Sequence, residues 1–316
     1  MLSMRLWGVR GTIPCPGPDT VVYGGNTACV EIRADDRLVI VDMGTGIRAL
    51  GDWLIVNEVK KARPLDTDIF ISHTHTDHIM GLPVFTPIFI PTTKLHIWGP
   101  VSSEDETLES ILGNQLSYRY WPIRLSELSA KIEYTQLRET TIDLGGGLSV
   151  STKYMNHPIL CLGYRFEYQG KSIVTAFDCE PFYNVFPADK NDPKYDEAAA
   201  MEGALVAREE NERLVRFYEG ADILVHDSQY TDQEYPAKLG WGHSTFTQAL
   251  DFGLKASVKK LVCFHHDPNH TDEQLAKLEQ QYRCLPAELG AKRPDAVPGA
   301  TPMELSMAKE GVIVEA

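Results

Sequence analysis

A chain of 316 residues, 43% hydrophobic and 23% charged, has an ordinary globular composition and can bury a large core. Its 44 acidic residues against 30 basic ones give a formal charge of −14, which repels a long polyanion; no long nucleic acid is expected as a partner, but a small anion captured by a local cation stays open. No apolar run approaches the roughly 20 residues that span a bilayer, MLSMRLWGVRG has no signal-peptide pattern, and the six scattered cysteines form no CxxC pair, so a reduced, cytoplasmic protein without a membrane partner is expected.

In chain order, MRLWGV, TACVEIR and RLVIVDMG read as strands separated by Gly, Pro and Asp turns. TGIRALGDWL reads as a short helix and TDIFISH as a buried strand leading into HTHTDH. From IMGLPVF to about residue 130 come short helices, the strand KLHIWGP and the stretch ETLESILGNQL. A second β-rich stretch follows in KIEYTQL, GLSVSTKYMN, CLGYRFEYQ and KSIVTAFD. DEAAAMEGALVAREENERLVRFYEG is helical and rich in Glu and Arg. ADILVHDS is a strand, a helix starts near His243, KKLVCFHHD is a strand, TDEQLAKLEQQY is a helix capped by Thr271, and TPMELSMAKEGVIVEA is a last strand. Two β-rich halves, each with helices, predict an α/β fold of the αββα sandwich type in one domain, with a helical decoration at about 181–220.

The pattern His73-Thr74-His75-Thr76-Asp77-His78 follows a β-run and precedes a helical pattern. Alternate residues of an extended segment face the same way, so His73 and His75 can meet one ion, and Asp77 with His78 can face a second. Four potential ligands within six residues repel one another or lose solvation unless a metal holds them. His157 closes STKYMN, Asp178 ends KSIVTAF and His265 ends KKLVCF, three strand tips that can ring one edge. We therefore expect two divalent metal ions. His73, His75 and His157 would hold one, Asp77, His78 and His265 the other, and Asp178 would bridge them. Mixed imidazole and carboxylate donors suit Zn2+, with Mn2+ or Fe as alternatives.

Asp42, ending RLVIVD, is expected to orient a ligand. Cys179 competes with Asp178, but adjacent strand residues point to opposite faces, and Asp178 is preferred. His96 reads as structural, and His266 and His270 as supporting or rim residues.

With these residues identified, the chain resembles the metallo-β-lactamase superfamily nearly end to end. Within it, the chain is similar to the branch containing the tRNA 3′-processing endonuclease. The marks are VDMGTG around Asp42, HTHTDH, His157, Asp178, ILVHDS, GWGHST and His265. In that branch a HEAT-type motif and a GHST loop follow the bridging aspartate. The resemblance puts Asp227 of ILVHDSQY at the first, where the family often has glutamate, and Gly242-His243-Ser244-Thr245 at the second. The tRNA enzymes carry a long arm between the lone histidine and the bridging aspartate, whereas this chain has a short connection and no basic tract there. The resemblance therefore leans to the arm-less phosphodiesterases, among them cyclic-nucleotide phosphodiesterases of the anti-Pycsar type. GVRGTIPCPGP and YGGNTACVEI are most similar to that group. It implies a small anionic phosphodiester as substrate and, together with the surface of the 181–220 segment, a homodimer.

Two divalent ions sharing a water lower its pKa from 15.7 toward about 7 and supply hydroxide at neutral pH. A ribose alkoxide leaves poorly and needs a proton. A carboxylate beside an imidazole keeps the ring protonated, so Asp227 and His243 are the expected catalytic pair beside Asp77. His226 either joins this network or points into the core. The competing expectations are a lactonase- or thioesterase-type carbonyl hydrolase on the same centre, a tRNA 3′-processing endonuclease, and a scaffold without metal.

Overall fold

The computed structural model describes residues 1–59, 64–102, 106–290 and 302–316. Alternation in the opening run makes β1 (Leu2–Gly8), which buries Leu2, Met4 and Leu6. It pairs antiparallel with β2 (Cys29–Ala34), and β2 with β3 (Arg37–Val41). β4 (Asp66–Phe70), β5 (Lys94–Pro100) and β6 (Lys131–Leu137) extend this sheet in parallel from β3. β14 (Ile313–Glu315) closes its other edge.

The second sheet runs β7 (Thr141–Gly145), β8 (Leu148–Met155), β9 (Cys161–Tyr168), β10 (Lys171–Ala176), β11 (Ile223–Asp227), β12 (Lys260–Phe264) and β13 (Glu304–Met307). Its first four strands are antiparallel and β10 to β13 are parallel.

The inner faces of the sheets meet in one core: Met4, Leu6, Ile32 and Phe70 from the first, and Phe166, Ile173, Val225 and Phe264 from the second. A second cluster lies between the first sheet and α1 (Gly46–Asn57), α2 (Thr76–Ile79) and α3 (Leu108–Asn114). A third packs α4 (Glu197–Tyr218), α5 (Phe246–Lys255), α6 (Asp272–Tyr282) and α7 (Leu285–Gly290) on the outer face of the second sheet. Two mixed sheets between helical layers are the expected αββα sandwich.

Several boundaries differ from the sequence reading. The strand before the histidine cluster stops at Phe70, so His73 and His75 lie on the loop between β4 and α2. The helix expected near His243 starts at Phe246, because Thr245 caps it by accepting from the Gln248 amide while the Gln248 side chain accepts from the Thr245 amide. β7 was not anticipated. The terminal run is two strands, one on each sheet. Of the 181–220 segment, the first part has no regular structure, and α4 then buries Ala207, Leu214 and Tyr218.

This topology sets where chemistry can occur. β3 and β4 run parallel, as do β10, β11 and β12. β8 and β10 are both antiparallel to β9 and so share a direction. The carboxyl ends of these six strands lead into Asp42, the His73–His78 loop, Asp178, Asp227, His265 and His157.

Candidate metal centre

Three imidazoles converge first. His75 Nδ1 stands 3.0 Å from His73 Nε2 and 3.0 Å from His157 Nε2. Asp178 Oδ2 lies 3.4 Å from His73 Nε2 and 3.8 Å from His157 Nε2. Beside them, His78 Nε2 is 3.2 Å from His265 Nε2, and Asp77 Oδ2 is 3.3 Å from the former and 3.2 Å from the latter. Asp178 Oδ1 is 3.1 Å from both of these nitrogens. Two nitrogens about 2.0–2.1 Å from one zinc-type ion at tetrahedral angles stand roughly 3.3 Å apart. The two clusters have that spacing, and Asp178 presents one oxygen to each.

The donor chemistry fits a metal. The Nδ1–H of His78 donates to Asp42 at 2.6 Å and that of His265 to Gln229 Oε1 at 3.0 Å, so in neutral rings both Nε2 atoms are bare lone pairs. Asp178 Oδ1, buried in front of them, has no hydrogen-bond partner. Three acceptors facing one another in a buried site need a cation between them.

Electrostatics agrees. Burial lowers His73 well below the usual histidine range, lowers His75, and takes His157 down to about 4, leaving the neutral rings that ligate metals. Burial would raise Asp178 and Asp77, but the surrounding histidines, His265 and His78 above all, hold both well below the carboxylate range. Burial alone would lower His78, yet Asp178, Asp77 and Asp42 raise it well above normal. The carboxylates thus demand positive charge at this point, which either a proton on His78 or a metal ion supplies.

The cluster is braced from behind. Asp42 accepts from the Ser72 amide and hydroxyl as well as from His78. His157 donates from Nδ1 to the Gly242 carbonyl at 3.1 Å, and the Thr12 amide donates to Asp77 Oδ2 at 2.7 Å. A Cβ on Gly11 would sit 2.4 Å from the His265 ring, so only glycine lets the opening loop lie there. Sequence reasoning found Asp42 but missed Thr12, Gln229 and the carbonyl of Gly242. Gln229 lies two residues past Asp227 in ILVHDSQY, and Thr12 follows Gly11 in GVRGT, the only signals available.

Asp227 and His243 adjoin the same cluster. His243 donates from Nδ1 to Asp227 Oδ2 at 2.7 Å, and Asp227 Oδ1 accepts the Ser244 and Gln229 amides. Burial would lower His243, but Asp227 prevails and raises it to about 9. The His243 ring stacks on His265, with centroids 5.0 Å apart, and meets His157 edge-on at 5.5 Å. Asp178, Asp227, His243 and His265 are themselves close enough to hold an ion. The short bond to His243 occupies Asp227 Oδ2 with a proton instead.

The other candidates lie elsewhere. Cys179 faces Tyr218 in the outer core. The His226 ring stacks on Phe252 and meets Tyr218, pointing into that core. His96 stacks on Trp98 and bonds Thr135. His266 donates to the Ala308 carbonyl, and His270 pairs with Glu234. Between His157 and Asp178 the only regular elements are β9 and β10, joined at Gln169 and Gly170, with no protruding arm.

An αββα sandwich with a His/Asp cluster at the carboxyl edge of its sheets is a metallohydrolase architecture. Residues 22–156 match the family model described as the metallo-β-lactamase superfamily. Ribonuclease Z of Exiguobacterium sibiricum is 32% identical over 249 residues, which cover 71% of this chain and 78% of that protein. Ribonuclease Z of Lactococcus lactis subsp. lactis is 29% identical over 260 residues, covering 73% and 80%. The fold is shared with the Bacillus subtilis metallo-β-lactamase fold protein YhfI (TM-score 0.62, 16% identity, covering 100% of this chain and 99% of that one). It is shared also with the short form of human tRNase Z (0.60, 17%, 99% and 98%). The chain belongs to the metallo-β-lactamase superfamily, in the branch that holds ribonuclease Z, and is a metal-dependent hydrolase.

Among the described residues no helix is long and apolar enough to cross a membrane.

Proposed function

We propose that this hydrolase is a phosphodiesterase that cleaves a small phosphodiester, a cyclic nucleotide above all, in the cytoplasm. His73, His75 and His157 would hold one Zn2+-type ion, Asp77, His78 and His265 a second, and Asp178 both. Bound there, the ions would supply an acidified water and neutralise charge on the phosphate. The observation that carries the reading is the Asp227–His243 pair set against the ligand cluster. Asp227 keeps the imidazole charged, and with Nδ1 engaged the proton available for transfer is on Nε2. Giving that proton to a departing ribose oxygen makes a poor leaving group a neutral hydroxyl.

Two further observations favour a small substrate: the net charge of −14 and the short β9–β10 connection. The relatives named ribonuclease Z favour RNA as the second reading. Both readings break a ribose phosphodiester, so the test is one of size and leaving group.

Metal-loaded protein should hydrolyse members of a panel of cyclic mono- and dinucleotides, leaving precursor tRNA, a lactone and a thioester nearly untouched. Efficient release of a tRNA 3′ trailer would move the assignment to the second reading, and preference for the lactone or thioester would reject both. His243→Ala with its metals retained should lose about 10²–10⁴-fold on the cyclic nucleotide. It should stay near normal on bis(p-nitrophenyl) phosphate, whose nitrophenolate leaves without a proton. Equal losses on the two substrates would show that His243 positions phosphate and is not the acid.

A further inference from the structure

The loop that carries His243 is held by a group outside the ligand set. Glu180, two residues beyond Asp178, is buried, and its carboxylate accepts three donors from one segment. Oε1 accepts from the Tyr235 hydroxyl at 2.7 Å and the Gly240 amide at 2.9 Å. Oε2 accepts from the Gly240 amide and the Gly242 amide, both at 3.1 Å. No Lys, Arg or His among the described residues pairs with it. A buried carboxylate without a cation is costly, and these charge-assisted bonds are what offset it.

Glu180 is also fixed from the other side. Its own amide donates to the carbonyl of Asn156, the residue before His157, at 3.0 Å, and the Cys179 carbonyl accepts the Ser244 hydroxyl. One short stretch, Asp178 to Glu180, thereby ties together the end of β8, the end of β10 and the loop leading to α5. Gly240 and Gly242 have φ of 85° and 86°, in the left-handed region. Their amides turn inward to the carboxylate, while the Gly242 carbonyl turns to His157.

We infer that Glu180 is a positioning residue for the reaction: its carboxylate sets the 235–243 loop so that His243 stands at the metal cluster in line to protonate the leaving oxygen. The inference rests on the acid reading of His243. Glutamine in its place keeps the shape but has a single acceptor. In one orientation its NH2 group opposes the Gly242 amide, donor against donor; in the other the Tyr235 hydroxyl can turn to accept it, but the Gly240 amide loses its 2.9 Å bond and both glycine amides are left to one uncharged oxygen. The loop would then shift while the seven metal-facing side chains keep their own elements.

The test uses Glu180→Gln in the full-length, metal-loaded protein, with metal content, steady-state kinetics on a cyclic nucleotide and on bis(p-nitrophenyl) phosphate, and amide hydrogen exchange of residues 235–243. The expected result is wild-type metal content, faster exchange at Gly240 and Gly242, and a kcat on the cyclic nucleotide lower by about 10²-fold, as a misplacement near 1 Å brings. KM and turnover of the nitrophenyl ester should change little. Unchanged exchange and kcat would overturn the inference. Equal loss on both substrates with loss of metal would overturn it too, because the clamp would then serve His157 through Gly242.

Should Glu180→Gln fail to fold, Tyr235→Phe removes one of the donors and leaves the charge. It should show the same selectivity more weakly, and equal effects on both substrates overturn the proposal. His243→Ala is measured in parallel. If it is unselective, the acid reading falls and this proposal with it; if it is selective and Glu180→Gln is not, only the clamp falls.

Discussion

Replacing Gly242 with alanine tests whether His157 is held where a metal needs it. The new Cβ would lie 2.2 Å from His157 Nδ1 and 2.5 Å from Pro158 Cδ, with the backbone at φ 86°. An ordinary contact is about 3.5 Å, so the imidazole would have to retreat by roughly 1.3 Å. That retreat breaks its bond to the Gly242 carbonyl, a loss of about 1 kcal/mol. It also carries Nε2 out of reach of an ion bound at about 2.0–2.1 Å. The left-handed backbone adds about 1–2 kcal/mol for any residue with a Cβ. Gly170→Ala separates the two effects, because φ there is 73° but no atom lies within 4 Å of the new Cβ. Both variants should lose stability in thermal unfolding. Only Gly242→Ala should lose metal by elemental analysis, and its activity should fall by at least about 10²-fold on every substrate. A Gly242→Ala protein with full metal content and an activity equal to that of Gly170→Ala would refute this placement of His157.

Asp178→Ala removes a carboxylate that faces both clusters and should lower metal content more than any single histidine substitution, approaching none per chain; retention of both ions would break the bridging assignment. In metal-free protein, His157 and His266 have folded values of about 4 and about 3 against about 6.5 unfolded. The unfolded chain therefore binds more protons below pH 6.5, and stability should be lost as pH falls from 6.5 toward 4. His243 has the opposite sign: raised to about 9, its contribution is complete below about 6.5 and is lost as pH rises through 9. Melting temperatures of chelated protein that stay flat from pH 7 to 4.5 would contradict this. Light scattering should find a homodimer, and a species of only 35.4 kDa at micromolar concentration would reject it.

Much of the centre was legible because ligand chemistry is local. HTHTDH places four donors in six residues, and the other three each end an apolar run, so strand counting brings them to one edge. Asp178 faces the cluster and Cys179 does not, for a reason other than strand alternation. β10 ends at Ala176, and a φ of 43° at Asp178 turns its carboxylate inward while Cys179 goes to the outer core. The supporting groups were not legible. Thr12, Glu180 and Gln229 act through tertiary contacts, two of them through backbone amides, and no spacing in the sequence marks such partners. The same limit hid the split of the last run into β13 and β14, since pairing across two sheets is decided by the closed core and not by local pattern.

Backbone strain is concentrated at this edge. Of the seven non-glycine residues with positive φ among the described residues, Asp35, Gln169 and Ser257 are in turns elsewhere, and four lie here, Thr12, Asp42, Asp178 and His265 at 66°, 61°, 43° and 64°. All four touch the cluster, and the last three sit just beyond β3, β10 and β12. Such conformations cost about 1–3 kcal/mol each and persist only where the surroundings over-determine them. Here the surroundings are the parallel strands themselves, whose ends lie fixed between two packed faces and deliver each chain to the edge on a common heading. A strand leaving the sheet in ordinary extended geometry would carry its next side chain onward and away. The left-handed step bends the chain at once and brings the carboxylate or imidazole back over the edge. The core between the sheets therefore bears the strain, and the carboxylates and imidazoles reach the edge already oriented. A divalent ion binding there would not have to assemble its own shell.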